Sequence, residues 1–199
     1  CIRDRFQTVL NKKATGVQAA VAHYGLSVVY AQDGDAAQAY AEAQKAVQMA
    51  GRNDVFLQKN LLQTRYALAA DKKPVLKEIS ALANDNPLSV MLAKIYIEDL
   101  YEQGMHEEIL KYLKGQSAIS QDNADYFRYL ARSSEALGRR SEAFRATGKM
   151  YALQGDWKMA AYQFKQAQRV SDGDFFTMSE VDADLREAED HLKQDKSHN

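Results

Sequence analysis

The chain has 199 residues, enough for one large or two small domains with a sizeable core. Its 26 basic and 27 acidic residues leave a net charge of −1. That balance excludes electrostatic attraction as a basis for nucleic-acid or anionic-membrane binding. One Cys, at position 1, excludes an internal disulfide and a Cys-based zinc site.

Thirty Ala, only 2 Pro and 10 Gly favour helix over sheet. The opening Cys1-Ile2-Arg3-Asp4-Arg5 reads as a translated sequencing-library adapter, so residues 1–5 are expected to be non-native. The native frame then continues upstream of Phe6. A lipidated N-terminal Cys and a plain truncation are the other readings of this start. The longest stretch without Asp, Glu, Lys or Arg is Ala14 to Gln32. Its Gln18, His23, Ser27 and Gln32, with many Ala, make it too polar to span lipid, so it reads as a buried helix.

A turn at Gln32-Asp33-Gly34-Asp35 ends that helix, and Ala39, Ala43 and Ala46 then form a small-residue stripe. Related turns recur at Gln103-Gly104-Met105, Leu137-Gly138-Arg139 and Gln154-Gly155-Asp156. Gly34 to Gly104 is 70 residues, twice 35, and Gly104 to Gly138 is 34. That period identifies a tetratricopeptide-type helix repeat. The second repeat lacks its Gly: Leu61, Leu62, Tyr66 and Leu68 mark its first helix. Pro74 opens its second helix, with Val75, Ile79 and Leu82 as a stripe, and Asn86-Pro87 closes it. Met91, Ile95, Leu100, Ile109, Leu110 and Leu113 are the expected core of the third repeat, and Phe127, Leu130, Ala131 and Ala143 that of the fourth.

Gly138 to Gly155 is 17 residues, half a period, so the helix between them ends one hairpin and begins another. Asp156 is expected to cap the next helix, whose inward face is Ala160, Phe164 and Ala167. After Asp172-Gly173-Asp174, Met178, Val181, Leu185, Ala188 and Leu192 form one seam of a final capping helix. Glu180, Asp184, Glu187 and Asp190 are expected on its watered face. The predicted architecture is all-α: a tetratricopeptide solenoid of four to five antiparallel hairpins plus a capping helix over residues 6–192, with a polar tail at 193–199.

In such a stack no hairpin hides its own apolar face, and the curved inner surface is suited to holding a polypeptide rather than to chemistry. None of the four His fits an H-E-x-x-H motif, since His106-Glu107-Glu108 runs into Ile109-Leu110. His23 reads as a packed or partly wet helix residue, and His191 and His198 as solvated. No phosphate loop, nucleophile elbow or Cys–His pair is present. Glu107 with Glu108, and Glu187 with Asp190, read as solvated charge. Trp157 reads as a cover over a joint between hairpins, with a recognition anchor as the alternative.

The repeat register directs Tyr24, Asn60, Lys94, Glu98, Arg128 and Arg132 to the concave side, and these are the predicted partner-binding residues. Arg128 and Arg132, four apart, can reach one carboxylate or carbonyl. The Lys/Asn/Arg carboxylate clamp of some tetratricopeptide modules is not reproduced, because Asn60 is followed one turn later by Thr64 and Lys94 by Glu98.

The run Tyr151, Leu153, Gly155-Asp156, Ala160, Gln163-Phe164, Ala167, Asp174-Phe175-Phe176, Ser179, Val181, Ala183 and Leu185-Arg186-Glu187 resembles one family's ending. It is similar to the C-terminal repeat domain of periplasmic zinc metalloproteases typified by the β-barrel assembly-enhancing protease. The half-repeat step and the Asp-Phe-Phe opening of the last helix are its more specific features. The resemblance implies a periplasmic module that contacts outer-membrane assembly machinery and misassembled β-barrel proteins. Zinc would belong to a protease domain upstream; this chain lacks the motif, so no cofactor and no catalysis are expected of it. A freestanding tetratricopeptide scaffold with no enzyme attached is the second reading.

Overall fold

The computed structural model describes residues 2–51, 53–115 and 119–197. Among them are eleven helices and no strand. The chain divides into two compact units, Cys1–Asn86 and Pro87–Asn199, at the Asn86-Pro87 step that the sequence marks as a repeat boundary.

The first unit holds α1 (Ile2–Asn11), α2 (Gly16–Gln32), α3 (Ala36–Ala50), α4 (Val55–Leu68) and α5 (Lys73–Asp85). Small side chains set how α2 and α3 meet. Ala19, Ala20 and Ala22 of α2 and Ala39, Ala43 and Ala46 of α3 are all buried, as the stripe predicted. Close approach lets the Ser27 hydroxyl donate to the Ala39 carbonyl at 2.8 Å, and the Asn60 amide of α4 donates in turn to Ser27 Oγ at 2.8 Å. This buried relay ties three helices together. Gly34 turns the chain with φ of +81°, a conformation costly for other residues. Asp35 then caps α3 by accepting from the Gln38 amide. The turn into α5 has no Gly; the Lys72 ammonium instead donates to the Tyr66 carbonyl. Pro74 sits in the first turn of α5, where its missing N–H leaves no bond unmade.

Helix α1 lies on α2 through Phe6, whose ring occupies the space that a Cβ on Gly25 would need, 2.3 Å from Cζ. Residues 2–5 are part of this helix, and Arg3 reaches the Asp33 carboxylate at 3.9 Å. No residue of α1 is buried. Gly25→Ala is therefore expected to release α1 while the rest of the unit gains up to about 1 kcal/mol of helix propensity. Hydrogen exchange across residues 2–11 checks this, and unchanged protection there would count against the packing.

The second unit holds α6 (Val90–Glu102), α7 (His106–Gly115), α8 (Ala124–Ala136), α9 (Arg140–Leu153), α10 (Trp157–Val170) and α11 (Phe175–Ser197). Gly104, Gly138 and Gly155 all lie between helices with positive φ, at the corners predicted for them. Ile97, Leu100, Ile109, Leu113, Ile119, Phe127 and Tyr129 form one core. In α6 the buried set is Leu92, Ala93, Ile97 and Leu100, which corrects the expected Met91 and Ile95 by one or two positions. Ala160, Phe164, Leu185 and Ala188 form a second cluster, with Tyr151, Trp157 and Leu192 packed against it.

One carboxylate departs from the sequence reading, and a second takes a role that the sequence does not show. Asp184 is buried rather than solvated: Arg145 Nε donates to it at 2.6 Å and Lys149 Nζ at 3.2 Å, while Arg145 Nη1 donates to Glu180 at 2.6 Å. The charged face of α11 thus clasps α9. Asp172, just past α10, accepts from the backbone amides of Arg140 and Ser141 at 2.9 and 2.8 Å. It caps α9 from more than thirty residues away, where Arg139 at the N-cap position supplies no side-chain bond. The bond to Ser141 holds the Asp172 carboxyl below the usual carboxylate range, reinforced by the two backbone amides and only partly opposed by desolvation.

Asp172→Ala is expected to cost about 1 kcal/mol at neutral pH. Because the folded-state pKa is depressed, the contribution is present above the unfolded value, near 4, and is lost as pH falls through the folded one. The wild-type advantage should accordingly shrink as the pH is lowered from 7 through the acid range, which urea titrations of both forms at successive pH values will read.

Candidate functional site

The structure brings four of the predicted residues together in the second unit. Lys94 and Glu98 of α6 lie across from Arg128 and Arg132 of α8. They do not stand free. Asp125, in the first turn of α8, pairs with Lys94 and, at 2.8 Å, with Arg128. Arg132 lies 4.0 Å from Glu98 and 4.0 Å above the centre of the Tyr101 ring. The Tyr129 hydroxyl is pushed up to about 12 by burial, helped by its hydrogen bond to Glu98 and opposed by Arg128. An incoming carboxylate would have to displace Asp125 or Glu98 from these cations. Asp125 was invisible as a partner of Lys94 because the two lie on different helices, whereas its pairing with Arg128 follows the i, i+3 spacing within α8.

The first unit presents a different surface. One cavity, of about 270 Å³, is lined by Val17, Ala20, Val21 and Tyr24 of α2 with Asp54, Phe56 and Leu57 at the start of α4. A second, of about 480 Å³, continues along the same two helices past Tyr24, Val28 and Ala31 on one side and Lys59, Gln63 and Ala67 on the other. Tyr24 lines both, so the two form one groove. Val17, Val21 and Phe56 are 57%, 57% and 61% exposed, a contiguous apolar strip that water rather than protein covers here. Asp54 is engaged as the cap of α4, accepting from the amides of Phe56 and Leu57.

Of the two predicted residues in this unit, Tyr24 stands at the middle of the groove. Asn60 reaches only its floor: it is buried, and its amide is spent on Ser27. Val21, Phe56, Lys59 and Gln63 were missed. A signal for one of them, Val21, was present, since Val17, Val21, Tyr24 and Val28 recur at helical spacing along one face of α2.

Two of the histidines are engaged within the fold. His23 meets the buried Glu42 through Nδ1 at 2.6 Å, and Lys45 donates to the other carboxylate oxygen at 2.7 Å. Burial raises the Glu42 carboxyl, but these bonds outweigh it and the net shift is downward. His191 corrects the solvated reading: its ring stacks on Trp157 with centroids 3.8 Å apart and planes within 7°. Trp157 covers the joint between α10 and α11, in keeping with its reading as a cover rather than a recognition anchor. His198 lies outside the described residues. Among those described, no three His, Cys, Asp or Glu side chains are grouped to hold a metal ion, and no helix is long and apolar enough to cross a membrane.

No family model matches the chain, and no curated protein matches it in sequence. Among solved structures it is similar to MamA MSR-1 C2, over 89% of this chain and 98% of that one, with a TM-score of 0.50 and 14% identity. The fold is of the tetratricopeptide type. The described residues of this chain form helices and no strand, and the corner glycines fall where that repeat turns.

Proposed function

We propose that this chain is a polypeptide-binding module, and that it serves as the partner-binding part of a periplasmic zinc metalloprotease in outer-membrane protein assembly and quality control. The binding half rests on one observation, the open apolar groove between α2 and α4 with Val17, Val21 and Phe56 in water. A groove of that kind offers apolar area to a segment of another chain, and burial of such area drives association at about 25 cal/mol per Å² before the costs of ordering. The protease half rests on the resemblance of the Tyr151–Glu187 run. Among the described residues no zinc-binding set stands together; in this proposal the module binds and positions, and the chemistry belongs to the protease domain of the parent.

The two halves are tested separately. Denatured β-barrel protein diluted out of urea should be kept soluble by this chain, and Val21→Asp with Phe56→Asp should abolish that protection. Equal protection by the variant would sink the groove. For the parent, the gene upstream of Phe6 should encode an H-E-x-x-H helix; a short leader directly before the repeats would indicate a freestanding scaffold instead.

A further inference from the structure

Lys59 is the feature of the groove that packing does not explain. It lies on α4 between Phe56 and Gln63, lining the groove that Tyr24, Val28 and Ala31 wall from the other side. No carboxylate among the described residues pairs with it. The carboxylate among the lining residues, Asp54, already accepts two backbone amides. Burial alone, with no bond to oppose it, depresses the Lys59 ammonium below the usual lysine range. A half-buried cation without a counter-ion is a standing cost to the fold, and sites that bind charge tend to carry such costs.

Position decides what kind of carboxylate would answer it. The apolar strip of Val17, Val21 and Phe56 continues beyond Lys59 toward one end, and Val28, Ala31 and Ala67 continue toward the other. A chain terminus held at Lys59 would leave one of those halves empty. An internal acidic side chain fills both. Gln63, one turn further along α4, adds an amide suited to the backbone of the same segment.

We infer that the α2–α4 groove takes a polypeptide segment carrying apolar residues on both sides of a single internal Asp or Glu, whose carboxylate the Lys59 ammonium receives. This rests on the proposal that the groove is the contact surface, and it adds the partner's charge pattern.

The probe is a short fluorescein-labelled peptide, amidated at its C-terminus, with Leu and Val on either side of one central Glu. A second peptide has Gln at that position, and a third has Gln there but a free C-terminal carboxylate. Fluorescence anisotropy with the full chain should show the Glu peptide bound at least about tenfold more tightly than either other. In Lys59→Met, which keeps the apolar stem, that preference should disappear while the Gln peptide binds as before. The melting temperature of Lys59→Met should equal or exceed that of the wild type, since an unpaired, partly desolvated charge is gone. Discrimination that survives Lys59→Met, or preference for the free C-terminus, would overturn the inference while leaving the groove as the contact surface. Failure of all three peptides to bind would overturn both.

Discussion

Phe164→Ala should lower the stability of the second unit by about 3–5 kcal/mol, the largest single effect expected in this chain. The ring is 1% exposed and lies among Ala160, Leu185 and Ala188, with Tyr151 and Trp157 beside it. It fits because Gly148 of α9 has no side chain: a Cβ there would stand 2.4 Å from Phe164 Cε1. Gly148→Ala therefore loses through overpacking, about 1–3 kcal/mol, more than the 1 kcal/mol or so that Ala gains in a helix. The two sites share one space, so Gly148→Ala in a Phe164→Leu background should cost less than it does alone. Trp157, the one Trp of the chain, sits in this cluster and reports the transition by fluorescence during urea unfolding. Strict additivity of the two changes would show that α9 and α10 do not meet in this way.

Asp184→Asn should come second, at about 1–3 kcal/mol, because it leaves two cations on α9 short of their shared carboxylate. Arg145 and Lys149 are each more than a quarter exposed, at 27% and 29%, so water offsets part of the loss. Glu180→Gln, on a side chain 37% exposed, should cost at most about 1 kcal/mol. The expected sign of the damage is faster hydrogen exchange in α11 and loss of the Trp157–His191 stack. If Asp184 proved as replaceable as Glu180, the charged face of α11 would be the solvated surface that the sequence alone implies.

The repeat was legible because its punctuation is local. Gly34, Gly104, Gly138 and Gly155 carry a backbone demand that follows from residue type, and the Ala and Phe stripes after them obey a helical period. Helix α6 was harder, since Val90–Leu92 and Ile95–Ile97 are apolar around more than one face and the period does not choose between them. What stayed hidden depends on pairings between helices. Asp172 caps α9, Asp184 binds α9, Asp125 neutralises Lys94, and Asn60 serves Ser27; each reads as ordinary helix surface until the partner helix is placed. The same holds for Gly25 and Gly148, whose importance lies in the rings of Phe6 and Phe164. The groove was half legible. The register brought Tyr24 forward, whereas Lys59 looked like any lysine beside the more suggestive Asn60.

The measurement that bears most directly on this account is a backbone amide NMR titration of the isotopically labelled chain with the Leu/Val peptide carrying a central Glu. Shifts that saturate at Val21, Tyr24, Phe56, Lys59 and Gln63, with the outer residues Gln44, Lys45 and Gln48 of α3 unmoved, are the predicted result. Saturating shifts centred on α3, or none in α2 and α4 while the peptide binds, would contradict it.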